Sequence, residues 1–198
     1  MKWIDFNDRM LRLGLPAFSL REGLRLTGLD YAAGKTQFGR WASAGRLIRL
    51  KNGLYLLKSP YERGEIPEYY VAGRLYYPSY VSLESALSFY NLIPETAFQV
   101  TSVATKPTRR FEVESTFYTY RTVRPRYFTG YVVERHRGFS VRIAEREKAV
   151  VDYLYFSIRD RTEPLERLSL KGLNPRKMLA YARLNGSKKL LQLVEGLC

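Results

Sequence analysis

Cysteine and histidine are nearly missing from this 198-residue chain, which has one of each. Cys198 is the last residue, so no intrachain disulfide can form and no cysteine-ligated zinc site can be built. His136 stands alone, which removes multi-histidine metal sites and the HExxH arrangement. No glycine-rich phosphate loop is present, so no nucleotide cofactor is expected and no ATP-dependent activity is suggested. The start, Met1-Lys2-Trp3-Ile4-Asp5, turns acidic before an apolar run could make a signal peptide. The most apolar stretch, around 149–158, is short and is broken by Asp152, so it cannot span a bilayer. A reducing, cytoplasmic location without a membrane partner is the expectation.

Acidic residues are also scarce: 19 Asp and Glu face 33 Lys and Arg, for a formal charge of +14. That balance points to a polyanionic partner, nucleic acid before an anionic membrane surface. Hydrophobic residues make up 45% and charged residues 26%, a globular rather than a disordered composition. The length suits one domain or two small ones. Sixteen Tyr and ten Phe are interspersed with the basic residues.

The first third reads as helix, helix, helix, hairpin. Trp3, Phe6, Met10, Leu11 and Leu13 recur at helical spacing until Gly14 and Pro16. Ser19-Leu20-Arg21-Glu22 is a capping box that opens a short helix, which stops at Thr27-Gly28. Asp30 caps a third helix over about 31–44, with Ala33, Phe38, Trp41 and Ala42 on one side. Gly34 and Gly39 inside it each cost roughly 1 kcal/mol against Ala. They permit close packing on the second helix or close approach of a ligand, unless the helix begins later. The period then changes to two. Residues 46–50 and 54–57 read as strands joined at Lys51-Asn52-Gly53, where Asn and Gly tolerate positive φ. Pro60 and the polar run to Glu65 read as a linker, with a boundary near 60–66.

Beyond the linker, helices are expected through Tyr69–Leu75 and from Ser82 to before Pro94, with Pro78 as a break between them. Five β-rich segments follow, at about 98–104, 110–114, 116–122, 130–134 and 139–143. A helix is then expected over 142–157, and two more over 175–184 and 188–195. The predicted fold class is α+β. Residues 1–62 form a winged helix-turn-helix, and residues 63–198 a mixed domain with an antiparallel sheet covered by helices.

Charge agrees with this shape. No Asp or Glu occurs from Tyr31 through Tyr61, a stretch that holds Lys35, Arg40, Arg46, Arg49, Lys51 and Lys58. Residues 1–63 carry half of the net charge, twelve basic against five acidic. With Phe38 and Trp41 inward, Lys35, Thr36, Gln37 and Arg40 are candidates to enter the major groove of DNA. There Gln pairs bidentately with adenine, and Arg or Lys with guanine. Tyr31 is placed for a phosphate or a base, and Arg49, Lys51 and Asn52 for the backbone or the minor groove. Ser19 and Arg21 begin the second helix, whose N-terminal N–H groups suit a phosphate. The competing reading is a basic surface that merely solvates a small domain.

Most of the chain, about residues 15–160, resembles the AbiEi-type antitoxin and transcriptional regulator family. Three segments carry the likeness beyond the N-terminal run through Tyr55: Tyr80-Val81-Ser82-Leu83-Glu84-Ser85-Ala86-Leu87-Ser88-Phe89-Tyr90-Asn91-Leu92-Ile93-Pro94-Glu95, Thr101-Ser102-Val103-Ala104-Thr105-Lys106-Pro107-Thr108-Arg109-Arg110-Phe111, and Ile143-Ala144-Glu145-Arg146-Glu147-Lys148-Ala149-Val150-Val151-Asp152. The last resembles the family's ATPEKALLD stretch, with Glu145-Arg146 where Thr-Pro is usual. The resemblance implies a repressor that binds double-stranded operator DNA, with an inverted repeat met by a homodimer or by cooperative binding. It also implies an antitoxin that opposes a nucleotidyltransferase-like toxin without a tight complex. A stand-alone winged-helix regulator, or an RNA- or protein-binding antitoxin module, are the alternatives.

A second basic cluster, Lys106, Arg109, Arg110, Arg121, Arg124 and Arg126, is interleaved with Phe111, Phe117, Tyr118, Tyr120 and Tyr127. It reads either as another nucleic-acid or antitoxin surface, centred on Lys106, Arg109, Arg110 and Arg121, or as a sheet with aromatics inside and Arg on its rim. The second reading leads. Strand alternation puts Tyr118 and Tyr120 on one face, Phe117 and Arg121 on the other. No catalytic residue and no metal ligand is expected. Glu145, Glu147, Lys148 and Asp152 lack nuclease spacing and read as surface pairs on a helix. His136, in Glu134-Arg135-His136-Arg137-Gly138, reads as a solvated loop residue rather than a general base.

Overall fold

A computed structural model describes residues 1–58, 66–164 and 166–198. The linker expected near 60–66 falls mostly on residues 59–65, outside the described residues. The protein is α+β, with eight α-helices and nine strands among the described residues. It divides into two compact units, Met1–Pro67 with Arg137–Phe139, and Glu68–His136 with Ser140–Cys198.

In the first unit, α1 (Trp3–Arg12) is followed by β1 (Ala17–Ser19), α2 (Leu20–Thr27), α3 (Tyr31–Ser43), β2 (Leu47–Lys51) and β3 (Leu54–Leu57). Local chemistry sets the helix starts. At α2 both halves of the capping box form: Ser19 Oγ accepts from the Glu22 N–H at 3.2 Å, and the Glu22 carboxylate accepts from the Ser19 N–H at 2.5 Å. Asp30 caps α3 by accepting from the Ala33 N–H at 2.8 Å. Gly28 ends α2 with φ 70°, a left-handed cap that costs glycine nothing.

The strands form a three-stranded antiparallel sheet in the order β1-β3-β2. β1 is too short, at three residues, to show an alternation in the sequence, and its neighbour Pro16 reads as a break. Its pairing of Ser19 with Leu54 places the start of α2 beside the β2–β3 turn, where the Leu20 N–H donates to the Gly53 carbonyl at 2.8 Å. In that turn only Gly53 takes positive φ, at 71°; Asn52 does not. A register shift between Arg49 and Lys51 accommodates this, the bulge expected for a type I turn closed by a glycine.

The core of this unit is aromatic: Phe6, Met10, Phe18, Leu20, Phe38, Trp41, Leu47, Tyr55 and Leu57 are all buried. Phe6 meets Phe18 edge to face at 5.2 Å, and Phe38 packs tilted on Trp41 at 5.5 Å. Gly23 lets α2 sit directly on Phe38, since a Cβ there would come within 2.6 Å of its ring. Ala33, expected on the inner side of α3, is exposed, and Gly34 is buried in its place.

The second unit contains α4 (Glu68–Leu75), β4 (Ser79–Val81), α5 (Leu83–Phe89), β5 (Val100–Ala104), β6 (Arg109–Val113), β7 (Thr116–Thr122), a 3-10 turn (Pro125–Tyr127), β8 (Tyr131–His136), β9 (Phe139–Ala144), α6 (Arg146–Asp160), α7 (Pro175–Asn185) and α8 (Lys188–Leu197). Its six strands run in the order β6-β7-β5-β4-β9-β8. The sheet is mixed, not antiparallel as expected: β7 is parallel to β5, and β9 is parallel to β4. Two features cause this. β6 turns back into β7 on the side that inserts β7 next to β5. β4, three residues hidden between Pro78 and the following helix, enters the middle of the sheet.

The helix expected over 142–157 begins only at Arg146, because residues 142–144 complete β9 and Glu145 occupies the N-cap position. α6 buries nine residues on several sides, Lys148 and Asp152 among them, which marks it as an internal rather than an amphipathic helix. No helix of the described residues is long and apolar enough to cross a membrane.

Candidate nucleic-acid interface

α3 places its side chains by period. Phe38 and Trp41 are buried, whereas Tyr31, Lys35, Thr36 and Arg40 are exposed and Gln37 is half-buried. Tyr31 is 65% exposed at the first turn, with its ring free of the core. Among the described residues no carboxylate pairs with Lys35, Arg40 or Arg49, so these charges face solvent without an internal counter-ion.

The two α3 glycines serve different ends. A Cβ on Gly34 would collide with the Leu24 side chain, so Gly34 permits close packing of α3 on α2. Gly39 has nothing within 4 Å of such a Cβ and lies on the exposed face with Lys35 and Arg40. That face therefore carries Lys35, Thr36 and Arg40 around one position without a side chain.

In the hairpin, Arg49 and Asn52 are exposed and Lys51 is half-buried. Arg49 Nη2 donates to Asn52 Oδ1 at 3.0 Å, so the guanidinium is held over the turn. This restricts a long side chain before any ligand arrives and reduces the entropy lost on binding. Arg46, at the start of the hairpin, has its guanidinium carbon 5.8 Å from the Trp3 ring.

At the start of α2 the structure narrows the expectation. The Ser19 hydroxyl is used by the capping box, and the Ser19, Leu20 and Glu22 N–H groups are all taken. Of the first-turn donors only the Arg21 N–H remains, together with its exposed guanidinium. Arg21 is thus the group at this position that can meet a phosphate, and the pairing of β1 with β3 puts it at the same end of the sheet as the Asn52-Gly53 turn.

The second unit separates the other cluster. Cross-strand pairing sets Arg110 opposite Thr119 and Arg109 opposite Tyr120, on opposite faces of the sheet. Arg110 lies over the Phe117 ring at 4.1 Å, and Lys106 lies 5.6 Å from the Tyr76 ring. Arg121 is bound internally. Both terminal nitrogens reach Asp160 at 2.7 Å, and the guanidinium sits 4.3 Å from the Phe156 ring centre. The Arg121 hydrogen bonds hold the Asp160 carboxyl below its ordinary value. Tyr118 and Tyr120 are buried, and the Tyr120 hydroxyl donates to the Ala72 carbonyl at 2.8 Å. Burial pushes both phenols up. These tyrosines are core, not stacking platforms for bases.

Two readings of titratable residues are corrected. Lys148 and Asp152 are not surface pairs: both are fully buried and in direct contact one helical turn apart. Asp152 Oδ2 accepts from Tyr80 at 3.0 Å and from Ser82 at 2.8 Å, and Lys148 Nζ reaches the Tyr80 oxygen at 2.9 Å. The ammonium also lies 3.6 Å from the Tyr127 ring centre. Burial pushes the Lys148 ammonium below its usual value, against the opposing pull of Asp152. The available signal was the apolar run Ala149-Val150-Val151 beside Lys148, which leaves α6 no polar face at that turn. His136 is not a solvated loop residue. It ends β8, half-buried, stacked on Tyr69 at 5.4 Å and edge-on to Phe89 at 5.6 Å.

Among the described residues no group of three His, Cys, Asp or Glu side chains is arranged to hold a metal ion. No family model and no curated protein matches this chain.

Proposed function

We propose that residues 1–58 are a winged helix-turn-helix that binds duplex DNA, with α3 as the recognition helix and the β2–β3 hairpin as the wing. The observation that carries this reading is the α3 face itself. Lys35, Thr36 and Arg40 are exposed around Gly39, with Gln37 half-buried at the margin and no acidic residue from Tyr31 to Lys58. A helix presented in this way suits the major groove, whose base edges Gln, Lys and Arg read by hydrogen bonding. Arg21, Arg49 and Asn52 would then follow the sugar–phosphate backbone and fix the register. The half-buried Lys51 adds charge to the same wing.

Transcriptional repression at an inverted-repeat operator is the activity this domain would serve, by a homodimer or by cooperative pairs, without catalysis. An antitoxin role toward a nucleotidyltransferase-like toxin is supported by the sequence resemblance through the second unit. Sequencing the flanking genes and co-expressing any nucleotidyltransferase-like product with this chain tests that role: rescue of growth supports it, and the lack of such a gene or unrelieved toxicity contradicts it.

DNA recognition is tested by selection from a randomised duplex pool with the full chain. The expected outcome is enrichment of one site with two related half-sites, and a changed base preference with Gln37→Ala. Removing the Gln37 amide should cost about 1–3 kcal/mol of discrimination at one position. A pool that remains random after repeated rounds contradicts the reading.

A further inference from the structure

Tyr118, Tyr120 and Tyr127 are buried in the second unit, whereas Tyr77 is 59% exposed. Tyr77 lies between α4 and β4, at one end of the six-stranded sheet. Ser79 pairs with Ala104, Ala104 with Thr122, and Arg109 with Tyr120. The start of β4, the ends of β5 and β7 and the start of β6 therefore meet at that end. β9 runs parallel to β4 with Val81 beside Ile143, which brings Arg142 level with Tyr80.

Three features converge there. First, the Tyr77 ring is steadied by a cation while much of it stays open to solvent. The Arg142 guanidinium carbon lies 4.9 Å from the ring centre. A guanidinium over one face of the ring leaves the opposite face for a planar partner. Second, Tyr77 continues into a short row. Tyr76 is half-buried and packs on Phe111 at 5.8 Å and on Tyr120 at 5.0 Å, and the Lys106 ammonium lies 5.6 Å from its ring centre. The loop that carries Lys106 is fastened on both sides. The Tyr76 hydroxyl donates to the Pro107 carbonyl at 2.8 Å, and the Thr122 hydroxyl donates to the Lys106 carbonyl at 2.8 Å. Arg109 is exposed and shares the face of Phe111, two residues along β6, while Glu112 falls on the other face. From Arg142 on β9 to Arg109 on β6 the row crosses four strand spacings, about 19 Å. Third, the charge has one sign. No Asp or Glu occurs in residues 69–83, 96–111, 115–133 or 135–144, the segments that build this end of the sheet.

We propose that this end of the sheet binds single-stranded nucleic acid, with one base stacked on Tyr77 and the backbone phosphates following Lys106 and Arg109. An exposed ring among cations matches what an unpaired nucleotide offers, a π-face of any base beside a negative charge. A duplex keeps its base faces stacked inside and cannot use Tyr77 in this way. A protein partner of mixed charge fits less well, since the row offers no carboxylate to its cations. The surface belongs wholly to the second unit and does not depend on DNA reading by α3.

The test uses the full chain and two labelled homopolymers of about 12 nucleotides, oligo-uridine RNA and oligo-thymidine DNA, read by fluorescence anisotropy. Tyr77→Ala should weaken single-strand binding by about tenfold, the loss of one stacked base. Tyr77→Phe keeps the ring and should bind within about twofold of the parent, a rescue that a merely structural role of the hydroxyl would not give. Lys106→Ala with Arg109→Ala should weaken binding and make the fall of log K with log salt shallower by about 0.7 for each phosphate no longer neutralised. These side chains are exposed, and an unchanged thermal midpoint confirms that each variant keeps the fold. Tyr77→Ala should cost the same factor in the Arg40, Arg49 and Lys51 triple alanine background, which separates this surface from the α3 face. Failure of duplex binding with single-strand binding intact would thus count against the α3 reading alone. Tighter binding of the RNA than of the DNA assigns the surface to RNA, and equal binding assigns it to single strands of either sugar. Neither oligonucleotide binding at low salt, or Tyr77→Ala binding both as the parent does, overturns the proposal.

Discussion

A buried ammonium is tolerable only when its charge is answered at close range, and Lys148 meets that condition with Asp152, the Tyr80 hydroxyl and the Tyr127 ring. The carboxylate in turn takes two hydroxyl donors, so each group of the network depends on the others. Lys148→Met alone leaves a buried carboxylate without its cation and should cost about 3–5 kcal/mol of unfolding free energy. Lys148→Met combined with Asp152→Leu removes both charges and should recover much of that loss. Urea denaturation of the two single variants and the double variant measures this. Single variants within about 0.5 kcal/mol of the parent would mean that the pair is not the closed network described. This network was not legible from spacing, because i,i+4 pairs of opposite charge look alike on a surface helix and an internal one. The apolar run Ala149-Val150-Val151 after Lys148 was the clue, and only the surrounding sheet and helices give it meaning.

At the scale of elements, α2, α3 and the hairpin were readable because short-range chemistry determines them. Ser19 with Glu22, Asp30, and Asn52-Gly53 each satisfy or redirect backbone groups within a few residues. β1 and β4 were not readable: at three residues each they show no period, and their partners are remote in sequence. The mixed sheet follows from those same long-range choices, so no local pattern announces it. The glycines distinguish packed helix faces from open ones. Gly39→Ala meets open space and should stabilise the protein by about 0.5–1 kcal/mol through helix propensity. Gly23→Ala, which drives a methyl group into the buried Phe38 ring, should destabilise it by about 1–3 kcal/mol. Chemical denaturation that shows the two changes with the same sign would contradict the assignment of which α2 and α3 faces are packed.

For the molecule as a whole, the charge of +14 is distributed by function of place rather than spread evenly. In the second unit Arg121 is spent on Asp160, and Arg109 and Arg110 diverge to opposite faces of the sheet. In the first, Lys35, Arg40 and Arg49 face solvent, with no carboxylate partner among the described residues. A surface of that kind gains by neutralising phosphates and releasing their counter-ions, which makes binding steeply salt-dependent. The sequence displayed the charge and the helix–helix–hairpin order of the first unit after α1, and these indicate which α3 residues are exposed. The bound state of Arg121 and the use of the Leu20 N–H by Gly53 needed the third dimension.

The central claim is that α3 and the β2–β3 hairpin contact duplex DNA, and its most direct test is the salt dependence of DNA affinity for the full chain and for the Arg40→Ala, Arg49→Ala, Lys51→Ala triple variant. Fluorescence anisotropy with a labelled duplex across a salt series should give a steep linear fall of log K with log salt for the parent. The triple variant should bind more weakly at every salt concentration, with a slope shallower by about one unit for each phosphate that it no longer neutralises. Equal affinities and equal slopes for the two proteins would contradict the claim.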